Sequence, residues 1–238
     1  MLRAMTLRLG LLPPLLLAAS CQSQQPVCPA PAANTLGDPT QPMQLEPFYL
    51  GADGNAHDAV ACGGLDLVFP PQGGHVVFAG VRATNLDGCR VTIAAALRDP
   101  STGSAIGADR RTINLYPIAG RPGWGTASTA GDAMNGFGGV ANVAVCPNFG
   151  TVDVQGRERI LELTVVDASG HRGTISTPVV PRCLQSDPAA RAACECDCAH
   201  DFSPAKCAPD GSARTDWDAG DQGDAQCAPV DGGAGSGT

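Results

Sequence analysis

Leu161-Glu162-Leu163-Thr164-Val165 and Ile175-Ser176-Thr177-Pro178-Val179 flank the turn Asp167-Ala168-Ser169-Gly170. A β-strand turns successive side chains to opposite faces. The period of two therefore puts Leu161, Leu163 and Val165 on one buried face, with Glu162 and Thr164 toward water. The second run repeats the pattern with Ile175, Thr177 and Val179. Asp, Ser and Gly between the runs favour a tight turn, so the segment predicts an antiparallel hairpin and a fold made of sheets.

The pattern recurs upstream. Leu65, Leu67 and Phe69 alternate with polar or small neighbours, and His75 to Ala83 is apolar on both faces, as a central strand would be. Val91, Ile93, Ala95 and Leu97 point one way, with Arg90, Thr92 and Arg98 the other. Ile113 with Leu115, and Val143 with Val145, mark two further strands. Turn residues separate the runs at Pro70-Pro71-Gln72-Gly73-Gly74, Asp87-Gly88 and Asp99-Pro100-Ser101-Thr102-Gly103. About seven strands over residues 48–183, with no amphipathic helix between them, predict an all-β, two-sheet sandwich. Aromatic residues make up 4% of the chain, so its core must come from Val, Ile, Leu and Ala.

The hairpin from Leu161 to Val180 resembles the last hairpin of bacterial immunoglobulin-like domains, in spacing and turn chemistry. The resemblance implies an immunoglobulin-like sandwich. The Cys…Trp…Cys arrangement of antibody-type domains does not occur, because Trp124 falls in a long glycine-rich connection spanning residues 117–138. A sandwich by itself implies no activity.

The amino terminus speaks to location. Arg3 and Arg8 precede the apolar run Leu9 to Leu17, which is too short to span a bilayer and has the layout of a secretory signal. Leu17-Ala18-Ala19-Ser20-Cys21 resembles the lipobox of bacterial lipoproteins. The resemblance implies cleavage after residue 20, acylation of Cys21 and anchoring to a membrane through acyl chains. Gln22, and not aspartate, follows that cysteine, which by resemblance to Gram-negative sorting implies the outer membrane. Removing residues 1–20 from the 238 leaves 218 residues, and losing two arginines leaves 13 basic against 23 acidic side chains, a balance of −10. That sign excludes nucleic acid as an expected partner. Residues 22–47 carry Pro26, Pro29, Pro31, Pro39, Pro42 and Pro47 without apolar periodicity, so 21–47 is expected to be an extended tether.

Eleven cysteines occupy positions 21, 28, 62, 89, 146, 183, 194, 196, 198, 207 and 227. With Cys21 acylated, ten remain, enough for five disulfides in an oxidising compartment. Strands alternating up and down place Cys62 and Cys89 at one end of the sandwich and Cys146 and Cys183 at the other, which predicts Cys62–Cys89 and Cys146–Cys183. Asp187-Pro188 is a helix-start signal, and Ala189 to Ala199 has high helix propensity. On that helix Cys194 and Cys198 share a face and Cys196 points away. Cys207 and Cys227 are candidate partners for the first two, and Cys28 for Cys196. Residues 184–209 thus read as a cysteine-rich segment, and the Asp- and Gly-rich 210–238 as a disordered acidic tail.

Several clusters invite chemistry. Cys194, Cys196 and Cys198 with His200 could ligate zinc or copper; export and an even count of thiols favour disulfides instead, so no metal or cofactor is expected. Asp53-Gly54-Asn55-Ala56-His57-Asp58, and Asp216, Asp218, Asp221 and Asp224, raise calcium, but neither has the spacing of a calcium loop. Trp124 is a candidate ligand contact or a cap on the core. His57, His75, His171 and His200 lie in unrelated contexts, and no nucleophile elbow, zinc-protease or phosphate-loop motif occurs. The expectation is a non-catalytic, lipid-anchored binding or interaction module meeting another envelope protein or a glycan. Metal capture by the cysteine-rich segment and an envelope hydrolase with a dispersed site are the alternatives.

Overall fold

The structure is a computed structural model, and it describes residues 34–127, 139–147, 153–200, 202, 203 and 207. The expected signal, Cys21, Cys28, Cys227, Trp217 and the 210–238 tail lie outside these residues. Within them the chain is mostly β. Its strands are β1 (Thr35–Leu36), β2 (Gln44–Leu50), β3 (Ala56–Asp58), β4 (Gly63–Asp66), β5 (His75–Thr84), β6 (Leu86–Asp87), β7 (Val91–Arg98), β8 (Ala105–Ile113), β9 (Leu115–Ile118), β10 (Arg121–Ala127), β11 (Ala141–Cys146), β12 (Arg159–Val166) and β13 (Arg172–Arg182). One helix, α1 (Pro188–Asp197), follows.

A five-stranded sheet has the order β4-β13-β12-β7-β8, and a six-stranded sheet the order β3-β2-β5-β10-β9 with β11 also on β5. The predicted hairpin is β12–β13, in antiparallel register from Arg159↔Val179 to Val166↔Arg172. Asp167 closes its turn by accepting the backbone N–H groups of Ser169 and His171, each at 2.9 Å. β4 joins the outer side of β13 in parallel, Gly63 to Asp66 against Val179 to Arg182.

The two large sheets bury one shared core. Leu161, Leu163 and Val165 of β12 and Ile93 and Leu97 of β7 meet Val77, Ala79, Val81 and Ala83 of β5. The cluster's fully buried members are aliphatic or cysteine, as the composition requires. The alternate residues of β5, Val76 and Phe78, join Phe48, Leu50 and Val140 in a second cluster, which is why β5 reads apolar on both faces.

Three regions depart from the expectation. Residues 34–47, expected within the tether, instead carry β1, which pairs with β6, and the start of β2, which pairs with β5 over seven positions. Asn85 holds this segment in place, its Nδ2 donating to Pro42 O at 2.8 Å and its Oδ1 accepting from Asp38 N at 3.1 Å. The glycine-rich connection is not a loop over 121–127: it folds as β10, hairpinned to β9 and paired to β5. Gly125 is required there, because the Leu36 side chain occupies the space a Cβ would take. The described strands number thirteen and not about seven, the additions including the seven-residue β2 and β10 and the short β1, β3 and β6.

Candidate functional site

The cysteine-rich segment folds onto the end of the sheets where β5 begins and β11 ends. Asp187 caps α1, its Oδ2 accepting from Ala190 N at 2.9 Å, and Pro188 occupies the first turn, where its missing N–H costs nothing. Gln185 Nε2 donates to Leu67 O at 2.7 Å and Arg191 donates to Gln185 O, so side chains seat the helix start against β4. Cys194 and Cys198, one turn apart on α1, are fully buried against the core.

Three bridges fix the segment. Cys183, just after β13, joins Cys194 with Cα atoms 5.8 Å apart; Cys146, at the end of β11, joins Cys198 at 5.0 Å; Cys196 joins Cys207 at 5.7 Å. The expected Cys146–Cys183 bridge is therefore corrected: both cysteines sit at one end of the sheets, but each takes a partner from α1 or its C-cap. Cys194 and Cys198 pair with these strand-end sulfurs and not with Cys207 or Cys227, and Cys196 takes Cys207 instead of Cys28.

The Cys62–Cys89 expectation also fails. Cys62 N donates to Pro178 O at 2.8 Å, and Pro178 lies level with Ile160 and Arg98. Cys89 precedes Val91 at the other end of β7. Seven residue steps of strand separate these levels, about 23 Å, where a disulfide needs Cα atoms within about 7 Å. Both cysteines are disulfide-bonded nonetheless, so their partners lie outside the described residues. β4 and β7 do run the same way, as the up-and-down count requires, but β4 pairs only with the last four residues of β13, so its start lies level with the end of β7 and not with its beginning.

His75 is the residue that sequence reasoning left without a role. It opens β5 directly opposite Cys146 in the register and is 2% exposed. Its ring meets Phe69 edge-on at 5.6 Å. A ring nitrogen of His75 and the sulfurs of Cys194 and Cys198 lie within 4.8 Å of one another. Nδ1 stands 3.4 Å from Asp197 Oδ2 but makes no hydrogen bond. Burial lowers the imidazole pKa against the pull of Asp197, and burial raises the Asp197 carboxyl against the pull of His75, so both lean toward neutrality. Only the β5–β11 register brings His75 to the helix, and no local sequence signal announces it.

The remaining candidates are dispersed. His200 turns away from the cluster, its Nδ1 2.7 Å from Asp153 Oδ1. Asp53 spends its carboxylate on Asn55 N, Asn55 Nδ2 and His57 Nε2 within its own turn, which holds it far below the ordinary carboxylate range. Trp124 lies in β10, half-buried, with the Arg121 guanidinium 4.4 Å over its ring. Arg121 in turn grips both Glu46 oxygens at 2.7 Å, so one face of the indole is already covered. No protein-family model matches this chain, and comparison with curated proteins gives no match.

Proposed function

We propose that this chain is an exported bacterial lipoprotein, anchored at the outer membrane through acyl chains on Cys21, that displays an immunoglobulin-like β-sandwich as a non-catalytic binding or interaction module. The supporting observation is the state of the sulfurs. All eight described cysteines, 62, 89, 146, 183, 194, 196, 198 and 207, are disulfide-bonded, the condition of an oxidising compartment. Six of them pair among themselves. Cys62 and Cys89 then draw on Cys21, Cys28 and Cys227, and one sulfur of those three is left over. The lipobox pattern assigns that sulfur to Cys21.

The non-catalytic part of the reading rests on how the histidines are used. Each is turned to an aspartate: His57 to Asp53, His75 to Asp197, His171 to Asp167 and His200 to Asp153. Among the described residues, the contacts of His57, His75 and His171 bring no serine hydroxyl to an imidazole. Metal capture by Cys194, Cys196, Cys198 and His200 finds those sulfurs in bridges and His200 on Asp153.

Intact-mass analysis of the native protein, with fractionation of Cys21→Ser, tests the anchor. A mature chain beginning at Cys21 with diacylglycerol and acyl additions, lost together with membrane association in the variant, is the expected result. A Cys21 found in a disulfide would overturn it. Crosslinking in intact envelopes should then capture a protein or glycan through the sandwich, and turnover of an envelope substrate by the purified protein would refute the non-catalytic reading.

A further inference from the structure

We infer that His75, Cys194 and Cys198 form a latent binding site for a thiophilic d10 cation such as Zn2+, closed in the oxidised protein by the Cys146–Cys198 and Cys183–Cys194 bridges. The geometry points to it in two independent ways. Two sulfurs one helical turn apart and a ring nitrogen from the facing strand lie within 4.8 Å of one another, near enough for small shifts to bring all three onto one tetrahedral ion. The ring is also buried with its Nδ1 unpaired, an arrangement that a merely structural histidine would relieve with a hydrogen bond. Asp197 Oδ2 stands 3.4 Å from that same Nδ1, so its carboxylate borders the site. These ligands are distinct from the Cys196 and His200 that the sequence pattern suggests, since Cys196 is tied to Cys207 and His200 to Asp153.

Opening the site requires a dithiol reductant. Each bridge takes two electrons and two protons from it, becoming two thiols while the reductant closes into its own disulfide. The cation then displaces the protons of Cys194 and Cys198, and the neutral imidazole adds a nitrogen. Reduction also frees the Cys146 and Cys183 thiols beside Cys198 and Cys194, and either can supply the fourth ligand.

Replacing the outer partners opens the site without a reductant. Cys146→Ser/Cys183→Ser leaves Cys194 and Cys198 as thiols in a chain whose other bridges are intact. With Co2+ as the probe, this variant should bind one ion per chain with the visible absorption of a tetrahedral thiolate complex. Adding His75→Ala should weaken binding at least tenfold, whereas adding His200→Ala should leave it unchanged. Oxidised wild type should bind none. No stoichiometric binding by a folded double variant, unchanged affinity after His75→Ala, or binding by oxidised wild type would each overturn the inference. Should the double variant fail to fold, wild type treated with limiting dithiol decides: Zn2+ must shield Cys194 and Cys198 from alkylation, and equal labelling with and without zinc overturns the site.

Discussion

Asp109 on β8 accepts the backbone N–H of Asn142 on β11 at 2.6 Å, so a side chain of the five-stranded sheet completes the hydrogen bonding of the six-stranded one. The same carboxylate receives Arg111 Nε at 2.7 Å. Burial raises the Asp109 pKa, but the Asn142 N–H and Arg111 outweigh it and hold the carboxyl below its ordinary value. A carboxyl with a depressed folded pKa contributes stability above its unfolded pKa, near 4, and loses it as pH falls through the lower folded value. Asp109→Ala should therefore cost about 1–2 kcal/mol at neutral pH. Urea midpoints measured from pH 6 down to pH 2.5 should show wild type and variant converging in acid; parallel curves would show that Asp109 is not the group responsible.

Gly107, two residues earlier, marks the same seam. A Cβ at this position would run into the carbonyl oxygen of Ala144 on β11, which is backbone and cannot rotate away. Gly107→Ala should destabilise by about 1–3 kcal/mol, the usual range for overpacking. Gly103→Ala, whose Cβ meets nothing within 4 Å, tests the different cost of its positive φ of 70°. Paired thermal melts of the two variants separate steric conflict between sheets from backbone strain in a turn.

The disulfides should differ in their worth. Cys146–Cys198 closes 52 residues and Cys183–Cys194 only 11. Loop-closure entropy then makes loss of the longer one more costly by about 1 kcal/mol. Non-reducing peptide maps should return Cys146–Cys198, Cys183–Cys194 and Cys196–Cys207, and denaturation of Cys146→Ser/Cys198→Ser against Cys183→Ser/Cys194→Ser measures the difference.

Trp124 reports on the Arg121 clamp. In a Trp217→Phe background, Arg121→Ala should shift Trp124 emission to the red and raise acrylamide quenching, because the guanidinium over the ring is lost. Glu46→Gln should give a smaller shift in the same direction, since Arg121 holds the Glu46 carboxyl below its ordinary value and is steered by it in return. Stability should change by less than about 1 kcal/mol, as for other exposed pairs.

What could be read from sequence follows from how local each signal is. β12, β13 and β7 alternate strictly because one face meets the core and the other meets water, and that period needs no partner to be seen. α1 was equally plain, since Asp187, Pro188 and an alanine-rich run act within a few residues. β10 was hidden because Gly123, Gly125 and Pro122 read as loop; Gly125 is small to admit Leu36, a residue 89 positions away. The short β1 and the proline-bearing β2 were hidden for a similar reason, their pairing being with β6 and β5. The cysteine pairings and the place of His75 depend on which strand ends meet and on how far along a neighbour a short strand such as β4 pairs, neither of which is local. Cys194 and Cys198 were visible as a helical pair, but the imidazole they face was not.

The parallel ladder between β4 and β13 has a mechanical consequence. Tension entering at Gly63 and leaving at Arg182 pulls the two strands past each other lengthwise, so the four paired positions share the force. An antiparallel hairpin pulled at its open end yields rung by rung. A pull in that direction must break all four positions together, with the cystine-bound helix seated immediately beyond them.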